Sequence, residues 1–197
     1  GTAPAGEAAA SDGPVLTIWA DEVSAPVLET LGATFADEYG VSLNVVQKGF
    51  GDLRNDYIVA APTGEGPDIL LGAHDWLGEL NASGLLAEVS LGDKAEQFAP
   101  SAIEAFTYTD GKLYGMPYAT ENVVLYYNPD LVPEAPATFD EVKALSQELM
   151  DGGNQFGYLI QTTDPFHFYP IQTAFGGYVF GKTDEGAWNP EDVGLNS

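Results

Sequence analysis

Residues Thr63–Leu80 read TGEGPDILLGAHDWLGEL. Gly64, Gly66 and Pro67 break the chain into a turn, and Ile69–Leu71, led by Asp68, follow as a short apolar strand. After Gly72-Ala-His-Asp-Trp76 a helical pattern begins. A strand that runs from a turn into a helix is the repeating unit of a parallel α/β sheet, whose ligands gather beyond the carboxyl ends of its strands. Asp75 and Trp76 stand at that edge. A carboxylate accepts hydroxyl protons and an indole offers a flat apolar face, so the pair suits a neutral polyhydroxylated ligand. Asp75 is equally placed to cap the helix that follows.

Upstream, Val15–Ala20 reads as a buried strand, β-branched and aromatic. Residues 24–39 place Val27, Leu28, Leu31, Phe35 and Tyr39 near helical spacing, and Gly40 ends the helix. Val41–Val46 is a second strand and Asp52–Ala61 a second helix. This alternation predicts a parallel sheet with right-handed crossovers.

Downstream, a short helix opens at Leu77 and ends near Ser83-Gly84; Leu85–Val89 is extended and Pro100–Phe106 helical. Thr109-Asp-Gly-Lys112 is a hairpin-type turn. Tyr118–Asn128 reads as a long strand, and Asp130–Pro136 as a Pro-punctuated loop. Thr138 and Glu141 spell a capping box for a helix running to about Met150, broken by Gly152-Gly153. Phe156–Ile160 is a strand, Asp164-Pro165 starts an aromatic-rich helix, and the residues from Gly181 on are turn-rich.

The 197 residues are 45% hydrophobic and 12% aromatic, enough to bury a core. Thirty acidic against six basic residues give a net charge of −24. Such a chain repels nucleic acid, phosphorylated metabolites and anionic membranes at long range, leaving neutral or cationic ligands as the natural partners. Without cysteine there is no disulfide, thiol or zinc–thiolate chemistry. P-loop, GxSxG, HExxH and Rossmann fingerprints are absent, and no cofactor is expected. His74 and His167 are lone histidines, a loop and a packing residue. The first 13 residues, GTAPAGEAAASDG, read as a flexible tether.

TIWADE, TGEGPDILLGAHDWLGEL, SGLLAEV, DGKLYGMPYATENVVLYYNPDLVPEAPATFDEV and DPFHFYPIQTAFGGYVF follow one another in order between Val15 and Leu195. Together they resemble the maltose/maltodextrin-binding proteins, extracellular solute receptors of ABC sugar importers. The acidity, the FGDLR segment and the DPFHFYP variant look most like actinobacterial members. The resemblance implies a type II periplasmic-binding-protein-like fold of two α/β lobes with sugar held between them. The first lobe would be residues 14–118, the hinge strand 119–123, and the start of a second, truncated lobe 124–197. It implies a maltose- or maltodextrin-like oligosaccharide as ligand, ABC permease subunits as partners, no nucleic acid, and a surface lipoprotein or a periplasmic protein. Family members are about twice as long, so the chain is expected to be a fragment whose remainder lies in another chain, or one truncated by proteolysis or design. The 197 residues alone are expected to bind sugar weakly or not at all.

Residue by residue, the resemblance places a sugar-binding carboxylate at Glu121, another at Asp75, and an acidic group after the first strand at Asp21 or Glu22. The basic neighbour usual there is missing. Asp164-Pro165-Phe166 matches an acidic-Pro-aromatic triplet in which Phe166 stacks on a pyranose ring, and His167 extends the group. Phe168 and Tyr169 are assigned to the core. Lys48 and Phe50 are further candidates at the sheet edge. Trp76 stands where the family carries Arg, so it takes no role from the resemblance; it stacks on sugar or packs under the helix. Paired carboxylates among aromatics also describe a glycoside hydrolase, with Glu121 and either Asp75 or Asp164 as the pair.

Overall fold

The computed structural model describes residues 13–186 and 188–195. The expected tether therefore lies almost wholly outside the described residues. The chain divides into two compact units, one through Thr120 and one from Glu121. In the first, strands β1 (Val15–Ala20), β2 (Ser42–Gln47) and β3 (Ile69–Leu70) form a parallel sheet in the order β2-β1-β3. Trp19 at the carboxyl end of β1 is in register with Val46 of β2 and Leu70 of β3. Asp68 extends the β3 pairing: its backbone N–H donates to the Thr17 carbonyl, and its carboxylate accepts the Thr17 N–H at 2.8 Å.

Helix α1 (Ser24–Tyr39) links β1 to β2, and α2 (Phe50–Ala60) leads from β2 towards β3. Gly40 closes α1 at φ 66°, the left-handed geometry that glycine adopts without Cβ strain. The face that α1 packs differs from the apolar positions named in the sequence. Ala25 is buried, Leu28, Gly32 and Phe35 are half-buried, and Val27, Leu31 and Tyr39 stay exposed. Of the five apolar positions named, Leu28 and Phe35 turn inward with the small residues, and the other three do not.

Burial rises along β1 from exposed Val15 to fully buried Ala20, so the core sits at the carboxyl end of the sheet. Trp19, Leu53 and Tyr57 meet Trp76 and Leu80 there. Tyr57 keeps its polar end satisfied by donating its hydroxyl to the Leu85 carbonyl at 2.7 Å. Beyond β3 a short 3-10 turn (His74–Trp76) runs into α3 (Leu77–Ala82), and α4 (Pro100–Ala105) follows a second 3-10 segment. The turn expected at residues 109–112 forms, with Gly111 at φ 79° and an isolated antiparallel bridge between Thr107 and Leu113.

The second unit contains α5 (Phe139–Asp151), α6 (Pro165–Ala174) and an antiparallel pair, β4 (Phe180–Lys182) with β5 (Trp188–Val193). Two expected strands do not form. Residues 118–128 and 156–160 carry no strand assignment, and no ladder partner runs beside either among the described residues. Both segments instead contribute to the wall of an apolar hollow of about 900 Å³, shared with α5 and α6 and lined by residues such as Leu125, Phe139, Leu159 and Ile171. A β-rich composition becomes a strand only when another strand accepts its backbone hydrogen bonds.

Candidate functional site

The carboxyl ends of β1, β2 and β3 deliver, in turn, Asp21 and Glu22, Lys48 and Phe50, and the His74–Trp76 turn. All three segments leave the same edge of one parallel sheet, where a ligand of an open α/β fold is met.

Asp21 is a helix cap. Its carbonyl accepts the Ala25 N–H, one carboxylate oxygen accepts the N–H groups of Val23 and Ser24, and the other accepts the Ser24 hydroxyl. Burial pushes the Asp21 carboxyl up, but the hydrogen bonds from Ser24 and Val23 outweigh it and hold the group below the usual carboxylate range. Three bonds at the start of α1 thus engage the Asp21 carboxylate, which has about four lone-pair sites, and leave little of it for a ligand hydroxyl. Glu22, exposed, accepts the Phe50 N–H at 3.1 Å with Oε2 and so ties the end of β1 to the start of α2. Lys48 is paired with Asp56 and lies over the Trp19 ring, 4.1 Å from its centroid. It is held as a structural cation.

Trp76 is 8% exposed and belongs to the core, which corrects its placing among the ligand-binding residues. Its indole lies where a side chain on residue 72 would project: a Cβ on Gly72 would come within 2.6 Å of two of its ring atoms. Asp75 beside it is exposed and caps nothing; the residue before the 3-10 turn is Ala73, and no side-chain cap forms. The helix-capping alternative for Asp75 is therefore not realised, and its carboxylate faces solvent.

In the second unit Asp164 caps α6. Oδ1 accepts the His167 N–H at 3.0 Å, while Oδ2 meets His167 Nδ1 at 2.6 Å and accepts from the Gln161 amide at 3.2 Å. These bonds, the His167 backbone first, hold the Asp164 carboxyl below its usual range. Pro165 occupies the first position of the helix, where a missing N–H costs nothing. Phe166 is 59% exposed with its ring edge-on to His167, centroids 5.5 Å apart. His167 is thus Asp164's exposed partner rather than a packing residue. Phe168 and Tyr169 are exposed too, contrary to the core assignment. Glu121 is likewise exposed. The large hollow of this unit is walled mainly by apolar side chains, with Asp140, Gln161 and His167 among the few polar ones.

Sequence reading missed Glu22 as a tie between elements and Gly72 as the space for an indole. The signal for the second was present: a glycine at a strand end, four residues before a tryptophan. Among the described residues no cluster of His, Asp and Glu is suited to hold a metal ion, and no helix is long and apolar enough to cross a membrane.

The first unit is a parallel α/β unit with acidic and aromatic groups at the carboxyl edge of its sheet, the place where open α/β folds meet their ligands. Residues 30–194 match the bacterial extracellular solute-binding proteins, and the chain belongs to that family. A galactooligosaccharide-binding protein of Bacillus subtilis is 33% identical over 189 residues, covering 95% of this chain and 45% of that protein. A maltooligosaccharide ABC transporter solute-binding lipoprotein of Streptococcus pneumoniae is 30% identical over 188 residues, 91% of this chain and 43% of its own length. Among solved structures, the maltotriose-binding protein of Thermus thermophilus, bound with maltotriose, matches with a TM-score of 0.80 at 32% identity. The match covers 92% of this chain and 50% of that one. The chain thus spans half the length, or somewhat less, of these relatives. Its fold is the type II solute-binding fold expected from the sequence, and these relatives are named as binding proteins, not enzymes.

Proposed function

We propose that the protein binds a neutral oligosaccharide of the maltooligosaccharide type outside the cell and passes it to an ABC importer, anchored as a lipoprotein. The observation that carries this is the likeness to the maltotriose-bound Thermus protein along 92% of the chain. The chemistry agrees with it. A net charge of −24 disfavours anionic ligands, whereas uncharged hydroxyls are good donors to carboxylates. Asp75 and Glu121 are exposed carboxylates, and neither is used in a helix cap; Asp164 keeps part of its acceptor capacity beside the exposed Phe166 ring. The permease contact and the lipid anchor rest on the streptococcal relative's name.

Each hydrogen bond from a sugar hydroxyl to a carboxylate is worth about 1.5–3 kcal/mol. Titration calorimetry of the full-length protein with maltotriose is expected to give saturable binding. Asp75→Ala should weaken it about tenfold to a hundredfold, at about 1.4 kcal/mol per factor of ten. Maltotriose recovered from the cell should be uncleaved. Binding of a galactooligosaccharide in preference to maltotriose would change the sugar assigned. Absence of heat with any oligosaccharide would overturn the reading.

A further inference from the structure

Three strand ends of the first unit converge on one ring. Phe50, the first residue of α2, leaves the end of β2 and is 48% exposed although it belongs to a packed element. From the end of β1, Glu22 accepts the Phe50 N–H at 3.1 Å and pins its backbone. From beyond β3, the indole of Trp76 supports the phenyl ring, centroids 5.2 Å apart and planes at 37°. That indole has its place because residue 72 is glycine; a Cβ there would lie 2.6 Å from the six-membered ring of the tryptophan. The buried ring is thus held by the core and the outer ring by the buried one. One part of the phenyl ring is packed and the rest is open.

A half-exposed aromatic ring immobilised from behind is a stacking platform. The indole restricts its rotamers before a ligand arrives, so the cost of ordering the ring against a ligand is reduced. We propose that Phe50 is the residue on which this protein stacks the apolar face of a pyranose ring. Trp76 is its buried support, Glu22 its positioning residue, and Gly72 the clearance that lets the pair form. The proposal rests on the oligosaccharide reading above and assigns that site its aromatic contact in the first unit. It also explains why an indole at the sheet edge is itself closed to ligand: its face is spent on Phe50.

The test compares the full-length protein with Phe50→Leu and Phe50→Tyr by calorimetry with maltotriose, with urea midpoints recorded for all three. Leucine keeps apolar bulk but has no ring face, so the affinity should fall about threefold to tenfold. Tyrosine should restore it to the original value. Glu22→Ala should weaken binding, and Glu22→Gln should restore it, because the amide oxygen still accepts the Phe50 N–H. In the unsubstituted protein, nuclear Overhauser contacts are expected between the Phe50 ring protons and sugar C–H protons, a readout that does not depend on any variant folding. Unchanged affinity in a folded Phe50→Leu protein, or missing ring contacts in a complex that does form, would overturn the platform and leave the oligosaccharide reading standing. No binding by the unsubstituted protein would overturn both.

Discussion

Asp21 shows how one carboxylate can be committed at the residue scale. Three groups at the start of α1 depend on it: the N–H groups of Val23 and Ser24, and the Ser24 hydroxyl. Asp21→Ala is expected to cost about 1 kcal/mol near neutral pH, the usual loss for a helix cap. The sign with pH follows from the depressed carboxyl. In the unfolded chain the group titrates near about 3.9. Its contribution is therefore complete above that value and is lost as pH falls through the lower, folded value. Urea titrations of both proteins across the acid range should show their difference shrinking below about pH 4; a gap that stays constant there would contradict the assignment. Sequence alone placed Asp21 at the right edge but could not count its hydrogen bonds. Trp76 was legible as an aromatic at the sheet edge, yet whether it faced ligand or core depended on the volume left by Gly72. Phe168 and Tyr169 carried a core-like spacing, and spacing specifies a shared face without specifying what covers it.

At the scale of the element, α5 is the most legible helix in the chain. Thr138 Oγ1 accepts the Glu141 N–H at 3.2 Å, as the capping-box spelling predicts. The return bond differs by one residue: the Glu141 carboxylate accepts the N–H of Ala137, at 2.7 Å, instead of that of Thr138. Thr138→Ala should destabilise the second unit by about 1 kcal/mol, and Thr138→Ser should be close to neutral. Helical circular dichroism followed through a urea titration reads this directly, and an alanine variant as stable as the parent would show the cap to be idle. Strands β1, β2 and β3 and helices α1 and α2 were readable for the same local reasons, since hydrophobic runs and breakers lie within each segment. Residues 118–128 were not. Val123, Val124, Leu125 and Tyr126 have strand composition, but pairing is a property of two segments, and they lie instead on the wall of an apolar hollow.

For the whole molecule, thirty acidic residues against six basic ones dominate long-range electrostatics. The described ion pairs, such as Arg54 with Glu79 and Lys112 with Glu88, are exposed or part-exposed and offset little of that repulsion. Raising ionic strength from about 0.01 M to about 0.15 M shortens the screening length from about 30 Å to about 8 Å. Added salt is therefore expected to stabilise the protein, raising the thermal midpoint by about 2–4 °C for each kcal/mol of repulsion relieved. A scanning-calorimetry series in sodium chloride checks this; a midpoint that fell with salt would mean that attractive pairs outweigh the self-repulsion. The net charge was fully legible in the sequence. The close fit of Gly72 beneath the Trp76 indole was not, and it bears on how such a chain can change. A larger residue at position 72 collides with the indole, and a smaller one at 76 opens a hole in the core, so each step alone is expected to cost stability. The two positions can exchange bulk only together, as a linked pair four residues apart, and a comparison that scores them as separate columns will misjudge both.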